Sequence, residues 1–186
     1  VNTAGAITSL AETLRTAIKT GTKKLVVALY DADPTCMLDS FLARHFTQEL
    51  MEGIQIIAHA MGAAQIVIET GADKKDRAIA EAIGSGTADR KISYLAVPPT
   101  YPPENAQARA AERHAAVIDA VTALSVYESV TYNQPMLTTY LLMTGKTLEQ
   151  ANVLKVRIGT PIGRLIEECG GFKSKNTHII LNGLLR

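Results

Sequence analysis

The sequence is poor in the residues that build metal sites and disulfide frameworks. Its 186 residues include two cysteines, Cys36 and Cys169, and four histidines, and none of these form a C-x-x-C pair or a histidine pair at metal-ligand spacing. Two thiols so far apart in sequence cannot by themselves hold an iron–sulfur cluster or a structural zinc ion. We therefore expect no iron–sulfur cluster and no metal site in this segment, and two unpaired thiols in a reducing compartment.

A large net charge and long apolar runs are missing as well. The formal net charge is +1, with Lys and Arg spread along the chain, so no nucleic-acid footprint is visible. No apolar run approaches the ~18 to 20 residues needed to span a bilayer, and Val1–Gly5 lacks the pattern of a signal peptide. We expect a cytoplasmic chain with no nucleic-acid partner and no direct membrane insertion, peripheral to a membrane only through partners.

No nucleophile–base arrangement can be defended either. The sequence offers no Ser/His/Asp or Cys/His pattern, and the carboxylates of Glu167 and Glu168 are adjacent on a predicted helix, so they do not converge on one site. We therefore assign no catalytic residues.

Alternating strands and helices dominate the first two thirds of the chain. Short apolar runs predict buried strands, and 3.6-residue patterns predict helices. The strands are 24–30, 64–69 and 92–97, and the helices are 6–19, 38–61, 74–83 and 110–130. This order predicts a Rossmann-like parallel sheet with helices on both faces. Ligands bind such sheets beyond the carboxyl ends of the strands, which here are the loops 31–35, 70–73 and 98–103.

The character of the sequence changes near residue 132. Strands at 136–143, 153–158 and 178–181 surround a short helix after Pro161, which predicts a small β-grasp unit. Thr160 is expected to cap that helix, and Gly170-Gly171 to end it in a left-handed conformation. We thus predict two domains, a Rossmann-like α/β domain at 1–131 and a β-grasp domain at 132–186.

Motifs in this second region carry a resemblance to a known family. Asn133-Gln-Pro135, Met143-Thr-Gly145, Val156-Arg-Ile-Gly-Thr-Pro-Ile162 and Cys169-Gly-Gly171, in this order, resemble the C-subunit family of electron-transport complexes. Its best-known member is the C subunit of the Rnf complex, and its relatives include the flavin subunit of respiratory complex I and the A subunit of the sodium-pumping quinone reductase. The resemblance implies that 132–186 is an SLBB (soluble-ligand-binding β-grasp) domain with a soluble ligand, and that the partners are other subunits of a redox complex.

The resemblance also implies a cofactor site in the first domain. In flavin-binding members a glycine-rich loop and an acidic loop cradle FMN. These loops correspond here to Gly5 and Thr8, and to Asp31 and Asp33, while Ala28 stands where the acidic loop has asparagine. Glycines let backbone amides approach a phosphate, so their loss weakens the site. FMN is the candidate cofactor, at an eroded site.

Several of these residues have a structural alternative. Asp31, Asp33 and Asp39 form either a polar ligand edge or turns and helix caps, and Asp39 could cap the helix that follows it. The segment 74–77 either meets an anionic group or is a solvated helix face. Arg157, Gly159 and Thr160 either support the β-grasp unit or contact a ligand.

Three functions follow. The leading interpretation is a soluble subunit, or a fragment of one, from an Rnf C-type redox complex that acts as a scaffold or electron-transfer module. The first alternative is a non-catalytic module that binds a ligand or a partner. The second is an FMN-dependent NADH or cobalamin reductase subunit, so that any enzymatic activity would be that of an NADH- or quinone-linked oxidoreductase subunit.

Overall fold

The computed structural model describes residues 9–31, 37–85, 90–97, 115–174, 178–181 and 184–185. The chain divides into two compact units with the boundary between Met136 and Leu137. The proposed domain limits at 131 and 132, and the identification of the second domain as SLBB, stay predictions.

The first unit is built on a parallel sheet. Its strands are β1 (Lys24–Leu29), β2 (Gln65–Thr70), β3 (Lys91–Ala96) and β4 (Ala116–Asp119). They lie in the order β3-β2-β1-β4, and every pair is parallel. The predicted Rossmann-like α/β fold is therefore confirmed. Because the chain runs outward from β1 to β3 and then returns to the other side of β1, the topological switch point lies between β1 and β4.

Five helices accompany this sheet in the described part of the unit. They are α1 (Leu10–Lys19), α2 (Leu38–His45), α3 (Thr47–Met61), α4 (Lys74–Ser85) and α5 (Ala120–Thr131). Five successive residues of β1, from Leu25 to Leu29, are buried. Since successive strand residues point to opposite faces, both faces of β1 are covered. None of the helices that the structure describes combines the length and the hydropathy of a membrane-spanning segment.

The single long helix predicted at 38–61 is wrong, because the structure breaks it at Phe46. Phe46 leaves the helical region with φ −129° and ψ 41°, and α2 ends before it while α3 begins after it. The hydroxyl of Thr47 donates to the carbonyl of Ala43 at 2.8 Å, which satisfies one of the terminal carbonyls of α2. The predicted end at Gly62 is confirmed, since Gly62 has the left-handed φ of 65°.

The helix predicted at 110–130 is also wrong in its first half. Residues 110–114 lie outside the described residues, and Ala116–Asp119 forms strand β4, which pairs with β1. Ile118 is 3% exposed and aligns with Val27, so burial in the sheet outweighs the helix propensity of the neighbouring alanines. The side chain of Asp119 then caps α5 by accepting the amide of Thr122 at 2.8 Å.

The second unit is smaller and has few buried side chains. Strands β5 (Thr138–Met143) and β6 (Asn152–Arg157) form an antiparallel hairpin, followed by α6 (Ile162–Glu168) and the short antiparallel pair β7 (Ile180–Leu181) and β8 (Leu184–Leu185). Its buried residues, among those described, are Leu148, Leu165 and Cys169.

The sequence predicts the end of α6 correctly but not its start. Gly170 and Gly171 have φ of 84° and 87°, so the predicted left-handed exit is confirmed. The predicted cap is wrong: the hydroxyl of Thr160 donates to the carbonyl of Arg157 at 2.7 Å, and Pro161 occupies the N-cap position without a side-chain bond. Pro161 has no N–H and its ring cannot accept a bond, so the start of α6 has no side-chain cap.

A glycine sets the distance between α3 and α5. A Cβ added at Gly53 would overlap the carbonyl oxygen of Ala123 and lie 2.8 Å from its carbonyl carbon. Ala123 itself is fully buried. Because backbone atoms cannot move aside as a flexible side chain can, the two helices pack this closely only with glycine at position 53.

We expect Gly53→Ala to lower the free energy of unfolding by about 1–3 kcal/mol, the usual cost of overpacking. Gly163→Ala is the matched control, because nothing lies within 4 Å of a Cβ added at that helical position. There the extra methyl group should be neutral or stabilising by about 0.5–1 kcal/mol. Urea unfolding followed by circular dichroism measures both, and equal effects of the two changes would contradict the close approach.

Candidate functional site

Three aspartates lie at the carboxyl edge of the sheet, around the switch point. Asp31 follows the end of β1, Asp39 lies in the first turn of α2, and Asp119 is the last residue of β4. Since α5 begins directly after Asp119, the N-termini of α2 and α5 meet the sheet at this edge. We call these three residues the switch-point aspartates.

Asp31 is bound to the start of α2. Its two carboxylate oxygens accept the backbone amides of Asp39 at 2.9 Å and of Ser40 at 3.2 Å. These amides have no partner within the helix, and a carboxylate is also favoured by the positive end of the helix dipole. Asp31 therefore caps a helix that begins seven residues later in the chain.

Asp39 does not cap the helix that contains it, so that alternative is wrong. Its carboxylate accepts the amide of Ala120, the first residue of α5, at 3.1 Å. The residue is 9% exposed. Burial raises the pKa of Asp39 well above the ordinary value, and the carboxylates of Asp119 and Asp31 raise it further, whereas the bond from Ala120 opposes the shift.

Asp31 shares the direction of this shift. Burial raises the pKa of its carboxyl, and the hydrogen bonds from the Ser40 hydroxyl and from the Asp39 and Ser40 amides oppose that change. Both carboxyls are thus easier to protonate than an exposed aspartate. The amides at the starts of α2 and α5 are therefore accepted by two carboxylates whose negative charge is destabilised by burial.

A buried glutamate lies on the other side of β1. Glu69 of β2 is 1% exposed, and it aligns with Ala28, which in turn aligns with Asp119 of β4. Residues in register on a parallel sheet share a face, so two acidic residues flank Ala28 there. Sequence reasoning missed both acids as site candidates. Glu69 was recognisable as an acid ending an apolar run, whereas Asp119 was hidden inside a wrongly predicted helix.

Of the four predicted cofactor residues, Asp31 lies in the described part of the chain. Gly5, Thr8 and Asp33 lie outside the described residues, so their part in FMN binding stays a prediction. Asp31 is described, and its carboxylate faces α2. Across the described ranges, no group of three or more His, Cys, Asp or Glu residues is placed to hold a metal ion.

Two residues of the charged segment 74–77 at the start of α4, Asp76 and Arg77, form ion pairs. Asp73 accepts the amide of Lys75 at 3.3 Å, and Asp76 pairs with Arg44 at 2.7 Å. Arg77 pairs with Glu81 at 2.9 Å on the exposed surface of the same helix. These contacts agree with the solvated helix face that the sequence left as one alternative.

Comparison with known proteins places these features in context. The chain is 26% identical over 178 residues to the C subunit of the ion-translocating oxidoreductase complex of Rhodobacter capsulatus, covering 86% of the chain and 33% of the relative. It is 24% identical over 170 residues to the C subunit of the Na(+)-translocating ferredoxin:NAD(+) oxidoreductase complex of Acetobacterium woodii, covering 82% and 38%. The chain thus spans little more than a third of the length of these curated relatives.

Solved structures show the same fold. A chain of the NAD+-reducing [NiFe]-hydrogenase in its H2-reduced state matches with a TM-score of 0.71 and 15% identity, covering 95% of this chain and 38% of that one. The air-oxidised state of the hydrogenase matches with a TM-score of 0.70 and 13% identity. At such low identity the likeness concerns the fold alone.

A match to a protein-family model shows to which family the chain belongs. The family model of the Nuo51 FMN-binding domain matches residues 2–125, which is more than half of the chain. Together with the relatives, which are C subunits, this confirms the predicted resemblance and makes FMN the cofactor to test. The chain belongs to the family of the Nuo51 FMN-binding domain.

Proposed function

We propose that this chain is a subunit, or part of a subunit, of an electron-transport complex of the Rnf C kind, and that its α/β unit is a scaffold rather than a flavin site. The first half of the proposal is supported by the curated relatives, which are C subunits of ion-translocating complexes. The second half is supported by the state of the switch-point aspartates. The partners would be other subunits of that complex, and they would hold the chain at the cytoplasmic side of a membrane.

The single observation that carries the scaffold role is the engagement of Asp31. A carboxylate that binds a flavin ring or a ribityl hydroxyl must present an oxygen to the ligand. Both oxygens of Asp31 already accept amides at the start of α2. A ligand would have to share these oxygens with the helix amides, and displacing an amide from its acceptor would cost about 1–3 kcal/mol.

The neighbouring position offers no substitute. Ala28 stands where the flavin-binding pattern has asparagine, and its methyl group neither donates nor accepts a hydrogen bond. It is 8% exposed, so a ligand has little access to it. The glycine-rich loop of the pattern is reduced in sequence to one glycine, Gly5, which removes positions where backbone amides approach a phosphate.

Asp31 and Ala28 thus do not offer FMN the free polar contacts that the flavin-binding pattern uses, and we derive no flavin chemistry from them.

The raised pKa of Asp39 has a consequence for stability. The protonated form of Asp39 is favoured in the folded protein relative to the unfolded chain, in which an aspartate has a pKa of about 3.9. The stabilisation that protonated Asp39 contributes to the folded protein is therefore complete below the pKa of this residue in the unfolded chain. It is lost as the pH rises through the pKa of Asp39 in the folded protein. Above that point the ionised, buried Asp39 makes folding less favourable.

We expect no saturable binding of FMN to the purified chain below about 1 mM, where binding is worth only about −4 kcal/mol. Quenching of FMN fluorescence during titration measures this. Uptake of one FMN per chain at micromolar concentration would contradict the scaffold role. If that uptake became about tenfold weaker in Asp31→Asn, Asp31 would belong to an FMN site, and the FMN-dependent alternative would replace the scaffold role.

We expect Asp39→Asn to stabilise the protein increasingly as the pH rises. Asparagine keeps an oxygen that accepts the Ala120 amide and removes the charge whose burial is unfavourable. Urea unfolding at several pH values should show a wild-type curve that falls above about pH 4 relative to this variant.

Asp39→Ala serves as the matched comparison. It removes the same charge but also the acceptor, so it should be less stable than Asp39→Asn by about 1–3 kcal/mol. Parallel pH curves for wild type and Asp39→Asn, or equal stabilities of the two variants, would contradict the assigned role of this carboxylate.

A further inference from the structure

The β5–β6 hairpin of the second unit has two chemically different faces. Directly opposed residues of an antiparallel pair share a face, and successive pairs alternate. One face carries the opposed pairs Thr138/Arg157, Tyr140/Lys155 and Leu142/Val153. We call these six residues the basic hairpin face.

The basic hairpin face holds two exposed cations and no acid. Lys155 and Arg157 are exposed, while the other four residues are partly exposed. The Lys155 ammonium lies 5.5 Å from the centre of the Tyr140 ring, which confirms that opposed residues meet on this side. Two further cations of the unit, which serve as controls below, are Arg164, 4.0 Å from Glu167, and Lys173, 3.5 Å from Glu149.

The charge of the two parts of the chain differs in sign. Residues 137–186 contain seven Lys and Arg and three Asp and Glu, a net charge of +4. Residues 1–136 contain twelve Lys and Arg and fifteen Asp and Glu, a net charge of −3, and the two values together give the +1 of the whole chain. The basic hairpin face therefore belongs to the part of the chain that carries the positive charge.

We propose that the basic hairpin face docks a protein partner with an acidic surface. The inference rests on the proposed function, because a subunit of a complex must present a binding surface to another subunit. Along this face Leu142 and Val153 form an apolar end, Tyr140 and Lys155 form the middle pair, and Arg157 lies at the other end. Tyrosine and arginine are enriched where proteins bind each other, and charges at the rim steer the encounter and select the partner.

The same residues are a poor match for other anionic surfaces. An anionic membrane is bound by clusters of about four to eight Lys and Arg, and nucleic acid by a stripe of cations that follows the phosphates. Two exposed cations next to an apolar end of the face do not form either pattern. The charge and the mixed composition together favour an acidic protein surface.

The test compares two double variants of the full chain that change the net charge equally. Lys155→Glu/Arg157→Glu reverses the basic hairpin face, and Arg164→Glu/Lys173→Glu reverses two cations outside it. Labelled poly-L-glutamate is the probe for an acidic polypeptide, and fluorescence anisotropy at low and physiological salt measures binding. Vesicles containing phosphatidylserine and a short DNA duplex are measured in parallel.

We expect poly-L-glutamate to bind the wild type and to bind the first variant at least about tenfold more weakly, with a smaller loss in the second variant and weaker binding at higher salt. Lys155→Gln/Arg157→Gln provides a milder change if circular dichroism shows that the reversal perturbs the fold. Equal losses in both glutamate variants would mean that net charge alone is responsible and would overturn the proposal.

Two other results would overturn the proposal in favour of a different occupant. Tighter binding to the vesicles or to the duplex than to the polypeptide would assign the face to that surface. Self-association in sedimentation that only the first variant abolishes would assign it to a second copy of the chain. None of these results depends on FMN uptake, so failure here is distinct from failure of the scaffold role.

Discussion

The helices α2 and α5 begin at the same edge of the sheet, and carboxylates accept the backbone amides at both starts. Asp31 binds the first turn of α2, and Asp39, within that turn, binds the first amide of α5. A helix start that is buried without acceptors is strongly unfavourable, so these two contacts decide how β1, α2 and α5 can meet. The chemistry available at the switch point follows from them.

The chain shares a fold with its family, and we propose that it differs at the cofactor site. The family model spans most of the α/β unit, and solved redox enzymes match nearly the whole chain. At the switch point, where such folds bind ligands, the carboxylates of Asp31 and Asp39 accept helix amides. Under our proposal fold and cofactor binding separate, because function resides in a few side chains, while the fold depends on the buried strands.

The sequence predicted the elements that depend on local patterns. Strand β1 contains the apolar run Leu25–Leu29 and strand β2 the run Ile66–Ile68, and Gly62 and Gly170 mark helix ends because a left-handed residue is required there. Strand β4 could not be predicted, because four residues in an alanine-rich stretch become a strand only beside β1. The contact between Asp39 and Ala120 was equally inaccessible, since the two residues are 81 positions apart and only the folded sheet brings them together.

Hydrogen exchange of single backbone amides, measured by NMR at neutral pH, tests the engagement of these carboxylates most directly. The amides of Asp39, Ser40 and Ala120 should exchange about as slowly as those of the buried strand β1, because each is bound to a carboxylate oxygen. If these amides exchanged at the rate of exposed loop amides while β1 remained protected, the carboxylates would be free for a ligand. The scaffold role would then lose its physical basis.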